Sequence, residues 1–226
     1  MERAVLVTEA QTPVGAALVR LFLARGLRVA AAVDSSARGG EGGWPADYRM
    51  KSFVSLPWNR RSPVSAHNLL AGVRSAFGSL EEALILEPPS TAADAPQWAS
   101  VDIEKAFDDL KGSTFLAREL LAHFTAAGSG ILSLASSSPR SADQAGAALE
   151  QAAREGFHGL ASSLLAPRSQ PRLLVNGYQA FGAEPEEFAA FIDRTLEEKG
   201  RKMGGRWFTL QPRGGPRGRA EKGSSA

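Results

Sequence analysis

The sequence predicts an α/β fold, a doubly wound parallel sheet with helices on both faces. Three observations predict it. Short apolar runs alternate with amphipathic helical stretches along almost the whole chain. The runs are continuous rather than alternating, as suits strands buried on both faces. Residues 1–212 contain no linker-like stretch, so they read as one domain of a size that can bury a full core.

Ala4-Val5-Leu6-Val7-Thr8 is the first such run. A helix over 14–25 follows, with Val14, Ala17, Leu18, Leu21 and Phe22 on one face and Gly26 as its C-terminal stop. Arg28 to Val33 is a second strand, closed by a turn at Asp34, which completes a βαβ unit. After the Gly-rich 37–50 stretch, Lys51 to Leu56 reads as strand three and Ser65 to Phe77 as a helix. Ala83 to Leu86 is strand four, and Ile103 to Ala126 a long helix ended by Gly128. Gly130 to Ala135 is strand five, and about 143–165 a helix. Leu173 to Asn176 is strand six. A helix from Pro185 to Glu198 takes its proline in the first turn, and Arg206 to Leu210 is the last strand.

Composition narrows the function. There is no Cys, which excludes disulfides, thiolate chemistry and Cys-based zinc sites. His67, His123 and His158 are scattered, with no metal-ligand spacing, so no metal is expected. No apolar stretch approaches the roughly 20 residues of a membrane span, and the opening apolar run is too short for a signal peptide. A cytoplasmic protein without membrane contact is the expectation. The pI of 9.1 comes from the end of the chain. Residues 213–226 carry Arg213, Arg217, Arg219 and Lys222 against Glu221, in a Gly/Pro/Ser-rich tail expected to be disordered and solubilising. Nucleic acid is therefore not the expected partner, although a weak contact through the tail stays open.

Several local motifs now fall in a fixed order. Phe77-Gly78-Ser79-Leu80-Glu81 leads into strand four; Asp109-Leu110-Lys111-Gly112 lies in the long helix; Gly130 to Ser137 forms a strand ending in serines. Gly159-Leu160-Ala161-Ser162-Ser163-Leu164, Leu174-Val175-Asn176 and Pro185-Glu186-Glu187-Phe188-Ala189 follow. In this order they resemble the landmarks of the short-chain dehydrogenase/reductase (SDR) family over residues 3–212. The resemblance implies a three-layer Rossmann-like sheet of about seven strands, in the order 3-2-1-4-5-6-7. It also implies NAD or NADP as cofactor, bound by a Thr-Gly-x-x-x-Gly-x-Gly turn, and an Asn, Ser, Tyr, Lys catalytic set.

The chemistry departs from that pattern. The first turn here is Thr8-Glu9-Ala10-Gln11-Thr12-Pro13-Val14-Gly15. Glu9 and Pro13 stand where glycines let a backbone approach a pyrophosphate. Glu9 adds negative charge, Pro13 has no N–H to donate, and only Gly15, which serves packing, remains. Asp34 falls one position late for a ribose contact and reads as a turn residue. Strand four ends in Glu87-Pro88-Pro89 rather than Asn-Asn-Ala-Gly. Anchored on Gly159, the Tyr position is Glu150, the Lys position Arg154, the Asn position Asp109 and the Ser position Ser136 or Ser137. The alternative anchor at Gly156 gives Ala147 and Gln151. Neither Tyr48 nor Tyr178 falls nearby. Glu150 and Arg154, four apart, read as a helix-surface pair rather than a new acid–base set with Asp109. Ser136 reads as part of a polar strand-end loop, with no His or Lys at a spacing that would activate it. Gly177 to Glu184 bridges directly to the next helix, with no long substrate-covering segment.

The resulting expectation is a non-catalytic SDR-type subunit, with no cofactor, that pairs with an active SDR homologue or with itself. The family's hydroxyacyl-CoA dehydrogenase heteromers are a resemblance of kind. The two long helices offer Leu110, Phe115, Phe157, Leu160 and Leu164 as candidate interface residues. Two alternatives stay open: a divergent active oxidoreductase using NAD or NADP, and a ligand or nucleic-acid binding module.

Overall fold

The structure, a computed structural model, describes residues 3–34, 51–89, 99–138, 148–166 and 172–211. Its sheet has seven parallel strands: β1 (Ala4–Val7), β2 (Arg28–Asp34), β3 (Phe53–Trp58), β4 (Glu82–Leu86), β5 (Gly130–Ser138), β6 (Leu173–Phe181) and β7 (Arg206–Leu210). They lie in the order β3-β2-β1-β4-β5-β6-β7, the Rossmann-like order expected. The helices between them are α1 (Pro13–Ala24), α2 (Pro63–Phe77), α3 (Ser100–Ala127), α4 (Ala148–Leu164) and α5 (Pro185–Thr195), the last continued by a π-helical turn, Leu196–Gly200.

Each central strand is buried on both sides. Ala4 and Leu6 of β1 face the layer built by Leu69 and Val73 of α2, Leu116 and Phe124 of α3 and Phe157 of α4. Val5 and Val7 face Leu18 and Phe22 of α1 and Phe188 and Ile192 of α5. This two-sided burial is why the strand runs are continuous rather than alternating.

Local signals set the helix ends. Thr12 caps α1 by accepting from the Gly15 N–H at 3.1 Å, with Pro13 in the first turn. Gly128 closes α3 in a left-handed conformation, φ 74°.

Boundaries moved where pairing overrides local sequence. β3 runs to Trp58 rather than Leu56, because it pairs with β2 as far as Asp34↔Trp58. Pro57 is tolerated because β3 is an edge strand. Asp34 is the last residue of β2, not a turn residue. β6 continues to Phe181, five residues beyond the expected end, paired with β5 and β7. The expected bridge is therefore mostly strand, and only Gly182 to Glu184 separate β6 from α5. The tail 213–226, Tyr48, and the expected helix residues 143–147 lie outside the described residues. Among those described, no helix is long and apolar enough to cross a membrane, and no group of three or more His, Asp or Glu could hold a metal ion.

Candidate functional site

The C-terminal ends of β1, β2, β4 and β5 form the crevice where open α/β sheets take their ligands. Here two ion-pair clusters line that crevice and occupy part of it.

The first centres on Arg60, in the β3–α2 turn. Its guanidinium is buried, with 8% of the side chain exposed, and meets carboxylates from three other elements. Nη2 donates to Glu9 Oε1, from the β1–α1 turn. Nη1 donates to Asp34 Oδ2 at 3.0 Å. Nε lies 3.6 Å from Asp109 Oδ1 on α3, too far for a hydrogen bond but close enough to attract. Lys105, one turn before Asp109, pairs with its other oxygen at 3.3 Å. The Arg60 guanidinium also stacks over buried Trp58, 4.9 Å from the ring centre. Burial pulls the Arg60 pKa below its usual value, and the charge of Asp109 opposes that shift. Gly112 makes room for this packing: a Cβ there would sit within 2.8 Å of Arg60 Cα and Cγ.

Glu9 holds its place under strain. Its φ of 50° is the only positive value at a described non-glycine residue. A left-handed backbone disfavours an L side chain by about 1–2 kcal/mol, so the position suits glycine. The carboxylate is nonetheless buried there, paired with Arg60. Glu9 is thus not the free negative charge that the sequence implied.

Three of the turn's N–H groups are also engaged. Ala10 N–H bonds Ala32 O at 3.5 Å, Thr12 N–H bonds Glu9 O at 2.8 Å, and Gly15 N–H bonds Thr12 Oγ1. Pro13 has none. Gly15 packs as expected, since a Cβ would come within 2.8 Å of the Glu9 carbonyl carbon. Thr8 supports β4 by accepting from the Leu86 N–H at 2.9 Å. A dinucleotide pyrophosphate needs free donors and an approachable glycine backbone. The residues present do not fit NAD or NADP in that mode.

The second cluster brings several of the expected positions together. Glu87 and Pro88 at the end of β4, Asp109 and Leu110 on α3, and Glu150, Arg154 and Phe157 on α4 bound one cavity of about 30 Å³. That volume holds a water or two, not a substrate. Arg154 Nε donates to Glu87 Oε1 at 3.1 Å, and Nη2 to Glu150 Oε1 at 3.0 Å. Only 9% of the Arg154 side chain is exposed, against 24% of Glu150, so this i,i+4 pair is a half-buried bridge at the cleft rather than a solvated surface pair. Burial pushes Glu87 up to about 7, while Arg154 pulls the other way through charge and hydrogen bonding. Across Glu87 and Arg154, a second recess of about 270 Å³ is bounded by Thr12, Pro89, Ser137 and Phe188.

Ser136 departs from expectation. It belongs to β5, is buried, and its Oγ lies 2.8 Å from His158 Nε2 on α4. Ser136 therefore faces α4, and Ser137 faces the other side. The spacing argument missed His158 because the two residues belong to separate elements. The signal was present, since His158 stands four residues after Arg154 and so on the same helix face. The imidazole stacks on Trp207, ring centres 5.0 Å apart, and burial lowers its pKa. Ser136 lines neither of these two cavities, and the pair fastens α4 to the sheet. Tyr178 is buried in the core layer of α1 and α5.

Of the candidate interface residues, Phe157 is a correction. It is 2% exposed and part of the core. Leu110, Phe115, Leu160 and Leu164 are half-buried. The exposed apolar side chains on α3 are Val101, Ile103 and Phe107, with Phe107 65% exposed.

No protein-family model and no curated protein matches the sequence. Solved structures do match. One is described as a candidate 3-oxoacyl-reductase from Bacillus thuringiensis, with a TM-score of 0.74 at 12% identity, covering 93% of this chain and 97% of that one. Another is described as a candidate short chain dehydrogenase/reductase family oxidoreductase from Aeromonas hydrophila, with a TM-score of 0.75 at 19% identity, covering 94% of this chain and 100% of that one. The chain therefore has the fold of these reductases over nearly its full length.

Proposed function

We propose that the chain is a non-catalytic subunit of the SDR type, which supports an active SDR homologue by pairing with it. One observation carries this reading. The positions matching the family's cofactor turn and catalytic set bind one another, Glu9 and Asp109 through Arg60, and Glu87 and Glu150 through Arg154. A side chain committed to a buried ion pair is not available to a pyrophosphate or a substrate carbonyl. The exposed Ile103 and Phe107 on α3, four residues apart and beside half-buried Leu110, support a partner on that face.

Calorimetric titration of the purified chain with NAD, NADH, NADP and NADPH tests the loss of cofactor binding, and no heat is expected at millimolar cofactor. Co-expression with a homologue that retains Tyr-x-x-x-Lys tests the pairing. A stable complex is expected, weakened by Phe107→Glu. Saturable cofactor heat, or a homologue indifferent to this chain, overturns the proposal.

The descriptions of the two solved structures favour a second reading, a divergent NAD(P)-dependent reductase. It predicts cofactor heat in the same titration, and loss of that heat on substitution of Arg154.

A further inference from the structure

A further concavity lies at the opposite end of the strands, where β4, β5 and β6 begin. It is a groove of about 810 Å³, in the size range of small-molecule sites. Arg3, Arg74, Arg172, Arg201 and Lys202 line it, against Glu81 and Glu82.

The acids are already committed. Glu81 accepts from the Ala4 N–H at 2.7 Å. Glu82 is buried and pairs with Arg201 at 2.7 Å and, more distantly, with Arg3 at 3.8 Å. Glu197, on the π-helical turn, takes the other Arg201 nitrogen at 2.8 Å and Arg3 at 3.4 Å. These pairs neutralise the floor of the groove. Arg74, Arg172 and Lys202 on its walls are exposed and have no ion-pair partner among the described residues.

Donors outnumber acceptors here. Arg201 Nε is buried with no hydrogen-bond partner, although its two other nitrogens are engaged. Ser79 Oγ accepts from Arg28 at 3.2 Å, which leaves its own O–H to donate. No Phe, Tyr or Trp lines the groove, so it has no platform for stacking bases. Four of its five cations are arginines, whose planar forks suit oxyanions.

We infer that this groove binds a small polyanion bearing clustered oxyanion groups, either phosphates or carboxylates. It lies across the sheet from the cleft, and the inference does not depend on whether the cleft is catalytic.

The test is calorimetric titration of the full chain with inorganic tripolyphosphate and, separately, with citrate, at fixed ionic strength. The expected result is saturable one-to-one binding of at least one probe, and which probe binds identifies the anion class. Arg74→Ala and Arg172→Ala each weaken it by about tenfold, the loss of one charge-assisted hydrogen bond. Lys202→Glu, a fully surface change, weakens it as well, while Glu9→Gln at the opposite end leaves it unchanged. Absence of heat with both probes overturns the inference. So does binding that survives all three groove substitutions, which would place the anion on the basic tail instead. Sulfate at matched ionic strength abolishing the effect overturns it too.

Discussion

Replacing Arg60 by Met tests whether the ion-pair cluster in the cleft is a coupled structural unit. Met keeps an apolar stem against Trp58, so the change removes charge more than packing. Three carboxylates then lose their shared cation. Asp34, 29% exposed, can turn to water, and Asp109 retains Lys105. Glu9 has neither outlet, since its side chain is 6% exposed. Breaking one side of a buried ion pair costs about 3–5 kcal/mol, a large part of the roughly 5–15 kcal/mol that holds a domain folded. For a chain of this size that is a fall in Tm of about 6–20 °C. Glu9→Gly in the same chain should restore most of the loss, because it removes the orphaned carboxylate and relaxes the left-handed backbone together. Urea unfolding followed by circular dichroism, on wild type, both single variants and the double, gives the coupling directly. If Arg60→Met costs less than about 1 kcal/mol, or the double variant is no more stable than Arg60→Met alone, the two residues do not depend on each other and the reasoning is wrong.

Two further outcomes are expected. Burial raises the folded-state pKa of Glu87 from 4.5 to about 7, so the stability it contributes is full below pH 4.5 and is lost as pH rises through about 7. Unfolding at pH 5 and pH 8 should show wild type losing on the order of 2 kcal/mol more than Glu87→Gln over that interval; equal losses contradict the assignment. Gly112→Ala drives a methyl into Arg60 and should destabilise by about 1–3 kcal/mol. In combination with Arg60→Met it should cost about as much as alone, because Met keeps the Cα, Cβ and Cγ that the methyl meets, as read from urea midpoints.

The strands and helices were legible because strand burial and helix periodicity leave direct traces in sequence, whereas their order in the sheet came from the family resemblance. β1, with neighbours on both faces, had to be a continuous apolar run. The far end of β6 was not legible, because Gly177 to Phe181 are strand only by virtue of their pairing with β5 and β7. The candidate site divided in the same way. Gly159, as an anchor, located Glu150 and Arg154 on α4, and the structure brings them to Glu87 and Asp109. Arg60 escaped notice altogether, since no spacing rule connects positions 9, 34, 60 and 109; only the assembled sheet and its helices bring them together. Asp34 was misread for that reason. A residue at the end of a strand looks like a turn until its ion partner is visible.

The left-handed glutamate also makes the pair unequal towards single substitutions. With glycine at position 9, Arg60 would still lie between Asp34 and Asp109 and be tolerated. With Glu9 but no guanidinium at position 60, a buried carboxylate would stand alone on a disfavoured backbone. Of the two single changes, loss of the glutamate is therefore the mild one and loss of the arginine the harmful one. An open crevice is reached only by giving up the glutamate first.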